Sequence, residues 1–189
     1  MARWAPGAAA RLHEAALRLF AERGFETTSV ADIAAAAGVT ERTFFRHYAD
    51  KREVLFGGED VLLTAFVGAV QGAPAGASDL AIVAHALDAA GGELQRIRER
   101  EQARVRGAIV AANVALRERE QLKMTRIAAA VAEALRARGT APEAADLAGD
   151  LLVSVFSNAF ARWIAPGETR DLTAIQTELL DALRALVAA

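Results

Sequence analysis

The chain has 189 residues, 53% of them hydrophobic and 24% charged, with 22 Lys and Arg against 24 Asp and Glu for a formal net charge of −2. That length bounds the molecule to one or two domains with a sizeable core, and the apolar share excludes a disordered chain. With no cysteine there is no disulfide framework, no Cys zinc site and no thiol nucleophile, and a charge this close to balance excludes a protein coated in positive charge for indiscriminate nucleic-acid binding.

The three histidines, His13, His47 and His85, are too scattered for a zincin-type pair. No metal and no cofactor is expected. No run of about 18 uncharged apolar residues offers itself as a bilayer span, and the first residues, MARWAPGAAARLHE, lack the continuous apolar stretch of a secretory signal, so a cytoplasmic protein is the expectation. Residues 1–56 hold 8 Lys/Arg and 7 Asp/Glu, against 14 and 17 in the remainder, a small asymmetry toward a basic N-terminal part.

Helical periodicity dominates and no stretch alternates with β-branched residues, so the fold class is all-α. A first helix is expected from about Gly7 to Arg23, because Leu12, Ala15, Ala16, Leu19 and Phe20 make one apolar stripe; Gly24 closes it. Thr27, Thr28 and Ser29 form a capping cluster with Asp32 placed to reach back. Val30, Ile33, Ala34 and Ala37 then make a short second helix ended by Gly38. Thr40 caps a third, Glu41 to about Tyr48, and Asp50 caps a fourth running to about Gln71, with Gly57 and Gly58 as a place for a bend.

Gly72 to Ser78, GAPAGAS, interrupts the helices, and Ser78 caps the next. Further helices are expected at about 79–90, 93–111, 114–138, 142–164 and 171–187, with Asn113 and Asp171 as caps. The sign-alternating runs RIRERE (Arg96 to Glu101) and RERE (Arg117 to Glu120) read as solvated helix faces.

Two short helices joined by AAGV, with alanine-rich inner faces, have the makings of a helix-turn-helix whose second helix enters a DNA major groove. In the stretch GVTERTFFRHYADK (Gly38 to Lys51), Phe44 and Tyr48 lie four apart and can bury inward while Glu41, Arg42 and Thr43 face out. Arg can bond both acceptors of a guanine edge, Thr can pack on a thymine methyl, and Glu can accept from cytosine. Thr40 offers a hydroxyl and free backbone N–H groups to a phosphate, and Arg46, His47 and Lys51 continue the positive edge. Thr28, Ser29 and Thr40 are equally readable as plain caps. Arg3 and Trp4 suggest a basic arm able to reach a minor groove.

The run RLHEAALRLFAERGFETTSVADIAAAAGVTERTFFRHYADKREVLF (Arg11 to Phe56) resembles the N-terminal DNA-binding domain of TetR-family transcriptional repressors, in the gapless spacing of LF, GF, TTSV, DIA, AGV and T and in the closing K-x-E-x-L. The resemblance implies a helix-turn-helix head over residues 1–50 joined to a larger helical ligand-binding and dimerisation domain over residues 51–189. It implies a homodimer reading a palindromic operator and released by a small-molecule effector. It puts Thr28 or Ser29, Thr40, Phe45, His47 and Lys51 at phosphate-contacting places and Arg42 and Thr43 at base-facing ones. One departure stands out: Phe45 occupies a position where the family usually has Tyr, and Tyr48 one where Phe is common.

Residues 142–187 carry apolar sets broad enough for an intersubunit four-helix bundle. Phe66, His85, Asn113, Met124, Asn158 and Trp163 are the polar or large side chains set in otherwise aliphatic helices, the mixture that lines ligand sites, although each is also compatible with ordinary packing. With no Gly-rich phosphate loop, the effector is expected to be apolar. Two other readings remain at this stage, a helical protein-interaction module and a helical-bundle enzyme, and the absence of Ser/His/Asp or metal-ligand spacing speaks against an enzyme.

Overall fold

In the computed structural model, residues 7–57 and 59–188 are described, and they form helices with no strand among them. The expected N-terminal arm, Arg3 and Trp4, lies outside the described residues. The chain packs as two compact units. The first comprises the N-terminal part up to residue 57 together with Val105–Arg117; the second comprises Glu59–Arg104 and the chain from Glu118 onward. The sequence reading divided the chain after residue 50; here the segment 51–57 and the excursion 105–117 belong with the N-terminal unit.

The head unit is built from α1 (Ala8–Arg23), α2 (Val30–Ala36), α3 (Glu41–His47) and α4 (Glu53–Phe56). The stripe of α1 expected from its spacing is buried: Leu12, Ala15, Ala16, Leu19 and Phe20 pack with Ile33 of α2, Phe44 of α3 and Val54 and Leu55 of α4. Ile109, Val110 and Leu116 complete that core, supplied by the C-terminal half of α7 (Arg100–Ala112) and the first residues of α8 (Val114–Ala137). Arg106 is buried with them, its guanidinium over the Phe56 ring at 5.1 Å and its Nε donating to the Leu55 carbonyl at 2.8 Å. A buried cation is tolerated only when its donors are used, and here α4's last turn supplies an acceptor.

The fourth helix was expected as one element of about twenty residues. It is two, α4 and α5 (Glu59–Gly72), and the helix is interrupted at Gly57, where ψ is 125°. Asp50 does act at the start of α4, its Oδ1 accepting from the N–H groups of Arg52 and Glu53 at 2.7 and 3.2 Å.

The second unit packs α5, α6 (Asp79–Ile97), α9 (Pro142–Trp163), α10 (Leu172–Ala188) and most of α8 around Phe66, Leu87, Leu135, Leu152 and Ile175. Ser78 caps α6 as expected, accepting from the Ala81 N–H at 3.4 Å. The expected break between residues 90 and 93 does not occur: α6 runs through Gly91 and Gly92 and ends at Ile97, inside the RIRERE run. Gly91 is there for space, since a Cβ at that position would stand 2.5 Å from Oε1 of the buried Gln176. Gly149 serves α9 in the same way, for its Cβ would lie 2.5 Å from the Ala128 carbonyl oxygen of α8. α9 is long and apolar enough to cross a membrane by length and composition, but Leu152, Val155, Phe156, Ala159 and Trp163 of that helix are buried in this core.

Candidate nucleic-acid interface

The two short helices of the head rest on the burial of Ile33 and Phe44 and on caps, because seven residues cannot hold a helix by propagation alone. Ser29 caps α2 in a full capping box: its Oγ accepts from the Asp32 N–H at 3.1 Å, and its own N–H donates to Asp32 Oδ2 at 2.9 Å. These bonds, first the one from the Ser29 side chain, hold the Asp32 carboxyl below its ordinary range. At the other end Gly38 takes φ +65°, the left-handed value that lets the chain turn, and the Val39 N–H returns to the Ala34 carbonyl at 2.9 Å. Arg11 of α1 donates from Nε to the Ala37 carbonyl at 3.1 Å, holding the C-terminus of α2. Thr40 then caps α3, its Oγ1 accepting from the Thr43 N–H at 3.2 Å.

The third helix has two different sides. Phe44 is fully buried, and Tyr48 is half-buried, its hydroxyl donating to the Ala9 carbonyl at 3.3 Å and its phenol raised above the ordinary range by burial. The opposite side carries Arg42, Phe45 and Arg46, at the i, i+3, i+4 spacing that puts them on one stripe. All three are exposed, Phe45 by 55%, together with Glu41 and His47. Neither arginine makes a hydrogen bond or ion pair among the described residues. Thr43 is half-exposed, and its hydroxyl is tied to that of Thr40 at 3.1 Å.

Two of the expected contact residues point elsewhere. Thr28 is 1% exposed and its hydroxyl donates to the Gly24 carbonyl at 2.8 Å, so of the pair Thr28 and Ser29 only Ser29 presents a hydroxyl at the surface. Lys51 is turned into the fold as well. Its ammonium donates to the carbonyls of Phe25, Glu26 and Thr28 at 2.7, 3.2 and 3.1 Å and stands 4.4 Å over the Phe25 ring. An ammonium has three donors and no acceptor, so the inward groups take its full capacity.

The residues expected around a ligand do not converge on one place. Phe66 is fully buried edge-on to Phe156, Trp163 is buried with its Nε1 unpartnered, and Met124 is half-buried against the same core. Asn158 is exposed and donates to the Ser154 carbonyl at 2.8 Å, within its own helix. Asn113 belongs to the head unit, where its Oδ1 caps α8 by accepting from the Leu116 N–H at 3.2 Å and its Nδ2 donates to Glu26 Oε1 at 2.7 Å. Of the six, His85 lines an open groove of about 610 Å³ between α5 and α6, with Val61, Thr64, Gly68 and Glu93 among its neighbours. Among the described residues no group of His, Asp and Glu is placed to hold a metal ion.

Known proteins share this head. A model of the bacterial regulatory proteins of the tetR family matches residues 12–56, the stretch from α1 through α4. The HTH-type transcriptional regulator TcmR of Streptomyces glaucescens is 40% identical over 104 residues, which are 55% of this chain and 45% of that protein. The putative mycofactocin biosynthesis transcriptional regulator MftR of Mycobacterium tuberculosis is 48% identical over 46 residues, 24% of this chain and 23% of that protein. The match thus spans less than half the length of either curated relative. Among solved structures, the FadR of Thermus thermophilus, a TetR-family transcriptional repressor in complex with lauroyl-CoA, superposes with a TM-score of 0.59 at 25% identity over 93% of this chain and 92% of that one. Residues 12–56 thus form a head of the tetR-family type.

Within a TetR-family head the departure at residue 45 now has a geometry. The exposed Phe45 ring leaves no hydroxyl on that side of α3, and the phenol three residues later is directed to the Ala9 carbonyl of α1. Sequence reasoning missed Arg11 and Arg106, both of which spend a guanidinium on backbone carbonyls. A charged residue beside an apolar stripe was their only signal.

Proposed function

We propose that this chain is a ligand-responsive, sequence-specific DNA-binding transcriptional regulator of repressor type, acting as a cytoplasmic homodimer and not as an enzyme. The observation that carries the reading is the outward stripe of α3: Arg42, Phe45 and Arg46, exposed and with no partner for either cation, on a seven-residue helix fixed by Thr40 at its start and by Phe44 beneath. Two adjacent cations left without a hydrogen bond or ion pair among the described residues, on one side of one short helix, are available to a ligand. Duplex DNA fits, since guanidinium groups reach guanine edges and phosphates, while Ser29 and Thr40 present hydroxyls and helix N-termini to the backbone. Phe45 packs on sugar or on a thymine methyl.

Dimerisation through residues 142–187 is supported by the outward sides of α9 and α10, where Leu147 is 71% and Leu186 79% exposed. In the dimer the two copies of α3 reach successive major grooves ~34 Å apart. An effector then lowers affinity by favouring a conformer with another spacing, a coupling of ~1–3 kcal/mol in such systems. The lauroyl-CoA bound by the Thermus thermophilus relative supports an effector with an apolar acyl chain, and because CoA carries phosphates it speaks against the purely apolar ligand expected from the sequence.

The test is selection from a pool of random duplexes with the full chain. The expected product is an inverted repeat whose half-sites are one helical turn or a multiple of it apart. Recovery of no common sequence, or of one without two-fold symmetry, would overturn the reading.

A further inference from the structure

We propose that Asn158 fixes the register of the homodimer: α9 lies antiparallel to its copy, and the Asn158 amide bonds the partner's Ser154 on each side of the two-fold axis. The inference rests on the homodimer of the reading above and adds the residue that sets its alignment.

The outer face of α9 has the spacing of a helix seam. Leu147, Leu151, Ser154, Asn158 and Ala161 follow one another at intervals of 4, 3, 4 and 3 residues, which sets them in one line along a 22-residue helix. Leu151 is half-buried, the other four are exposed, and the line holds no charge. The opposite line of the same helix, Leu152, Val155, Phe156 and Ala159, is already in the core. A surface helix needs one such line to fold onto its unit, and α9 has two.

What lies against the outer line follows from its asymmetry. The large residues, Leu147 and Leu151, occupy the first half, and the small Ala161 the last turn. Acids flank the first half at Glu143 and Asp150, and Arg162 stands at the end. A parallel copy would set Leu against Leu, Ala against Ala, and Asp150 beside the partner's Asp150. A reversed copy sets Leu151 against the partner's Ala161, carries Leu147 over the partner's last turn, and brings each acidic half beside the other's basic end. The midpoint of that pairing falls between residues 154 and 158, so Asn158 meets the partner's Ser154, and the same contact recurs across the axis. A face that complements itself when reversed fits a second copy of this chain.

Asn158 is prepared for the contact. One amide hydrogen donates to the Ser154 carbonyl at 2.8 Å, within α9, which holds the side chain along the helix. The other hydrogen and Oδ1 are left for a hydroxyl, which can both donate and accept. In a seam of Leu and Ala an unmatched amide is costly, so a slip that parts Asn158 from a polar group is disfavoured. One polar residue thereby selects among alignments that apolar contacts alone leave nearly equal.

The chain has no cysteine of its own, so introduced ones report the alignment directly. The experiment uses the full chain at a concentration where sedimentation shows a dimer. In the proposed pairing the two copies of residue 151 stand about 15 Å apart along the helix axis, too far for a disulfide, whereas residues 151 and 161 of opposite chains touch. Leu151→Cys alone should give almost no cross-linked dimer under mild oxidation, and Ala161→Cys alone likewise. Co-expression of the two should cross-link. Asn158→Leu, a change at an exposed position, is expected to stay dimeric and to add the Leu151→Cys self-cross-link, because the alignment is no longer selected.

Self-cross-linking by Leu151→Cys with Asn158 in place, or a co-expressed pair that stays uncross-linked, would overturn the antiparallel register. An unchanged pattern in Asn158→Leu would remove Asn158 from it. If the wild-type chain sediments as a monomer at every concentration, the homodimer falls and the register with it; failed cross-links in a chain that does dimerise touch the register only.

Discussion

The head and the second unit spend their arginines differently. In the second unit Arg96, Arg104, Arg136, Arg162, Arg170 and Arg184 each sit on a carboxylate of the same unit, and Arg100 and Arg138 are committed to backbone carbonyls. In the head Arg11 and Arg106 are likewise turned to carbonyls and Arg18 and Arg52 sit on Glu22 and Asp50, but Arg42 and Arg46, side by side on α3, make no hydrogen bond or ion pair among the described residues, as is also true of Arg23 at the end of α1. Exposed ion pairs contribute little to stability, typically below ~1 kcal/mol, so the paired set of the second unit is best understood as a surface that satisfies itself. The unpaired set then marks where the protein expects something from outside.

The neighbouring phenylalanines of α3 give the sharpest way to break this contrast. Phe44→Ala should cost about 3–5 kcal/mol in thermal or denaturant unfolding, because a fully buried ring leaves a cavity. Phe45→Ala, with its ring 55% exposed, should leave stability within about 0.5 kcal/mol and weaken DNA binding instead. Equal destabilisation by the two would mean that α3 has no outward side.

In the second unit the most severe small change is expected at Gly149, where a methyl group would meet the Ala128 carbonyl at 2.5 Å. Gly149→Ala should destabilise by about 1–3 kcal/mol despite its gain in helix propensity, since backbone must move. A denaturation midpoint at or above the wild-type value would show that α8 and α9 are not in such close approach. Back in the head, Ser29→Ala should remove about 1 kcal/mol through loss of the capping box. Parallel measurements of stability and DNA affinity would separate the cap from a contact: a cap alone moves stability and affinity alike across all sequences.

The smallest effect concerns pH. Hydrogen bonds from the Arg170 guanidinium, then from backbone N–H groups at Arg170 and Thr169, pull the Glu168 carboxyl from 4.5 to about 2. A carboxyl lowered on folding adds stability that is fully present above pH 4.5 and is lost as pH falls toward 2. The difference in melting temperature between wild type and Glu168→Gln should therefore be constant from neutral pH down to about 4.5 and shrink below it. A difference independent of pH would remove the charge from the explanation.

Much of the head was readable because its signals are local. The stripe of α1, the caps Ser29 and Thr40, and the turn at Gly38 follow from residue type and spacing within one or two helical turns. The inward bonds of Thr28 and Lys51 were not readable for the opposite reason: their partners are carbonyls whose positions depend on how the loop at 24–28 folds, which no spacing rule encodes. The same limit explains α6, where Gly91 read as a break but serves a close approach to a residue 85 positions away in sequence, Gln176. Selecting polar residues on apolar helices cannot tell which side of the helix each occupies, so Asn158 came out on the surface and Asn113 in the head unit.

The most direct test of the central claim, that the free arginines of α3 face duplex DNA, compares variants that change net charge equally. Arg42→Ala, Arg46→Ala and Arg96→Ala are titrated against the duplex the wild-type chain selects. The account predicts losses of about 1–3 kcal/mol for Arg42→Ala with relaxed sequence preference, a weakening across all sequences for Arg46→Ala, and wild-type binding for Arg96→Ala, whose guanidinium is already held by Glu93. Equal losses in all three, or none in the α3 variants, would contradict it.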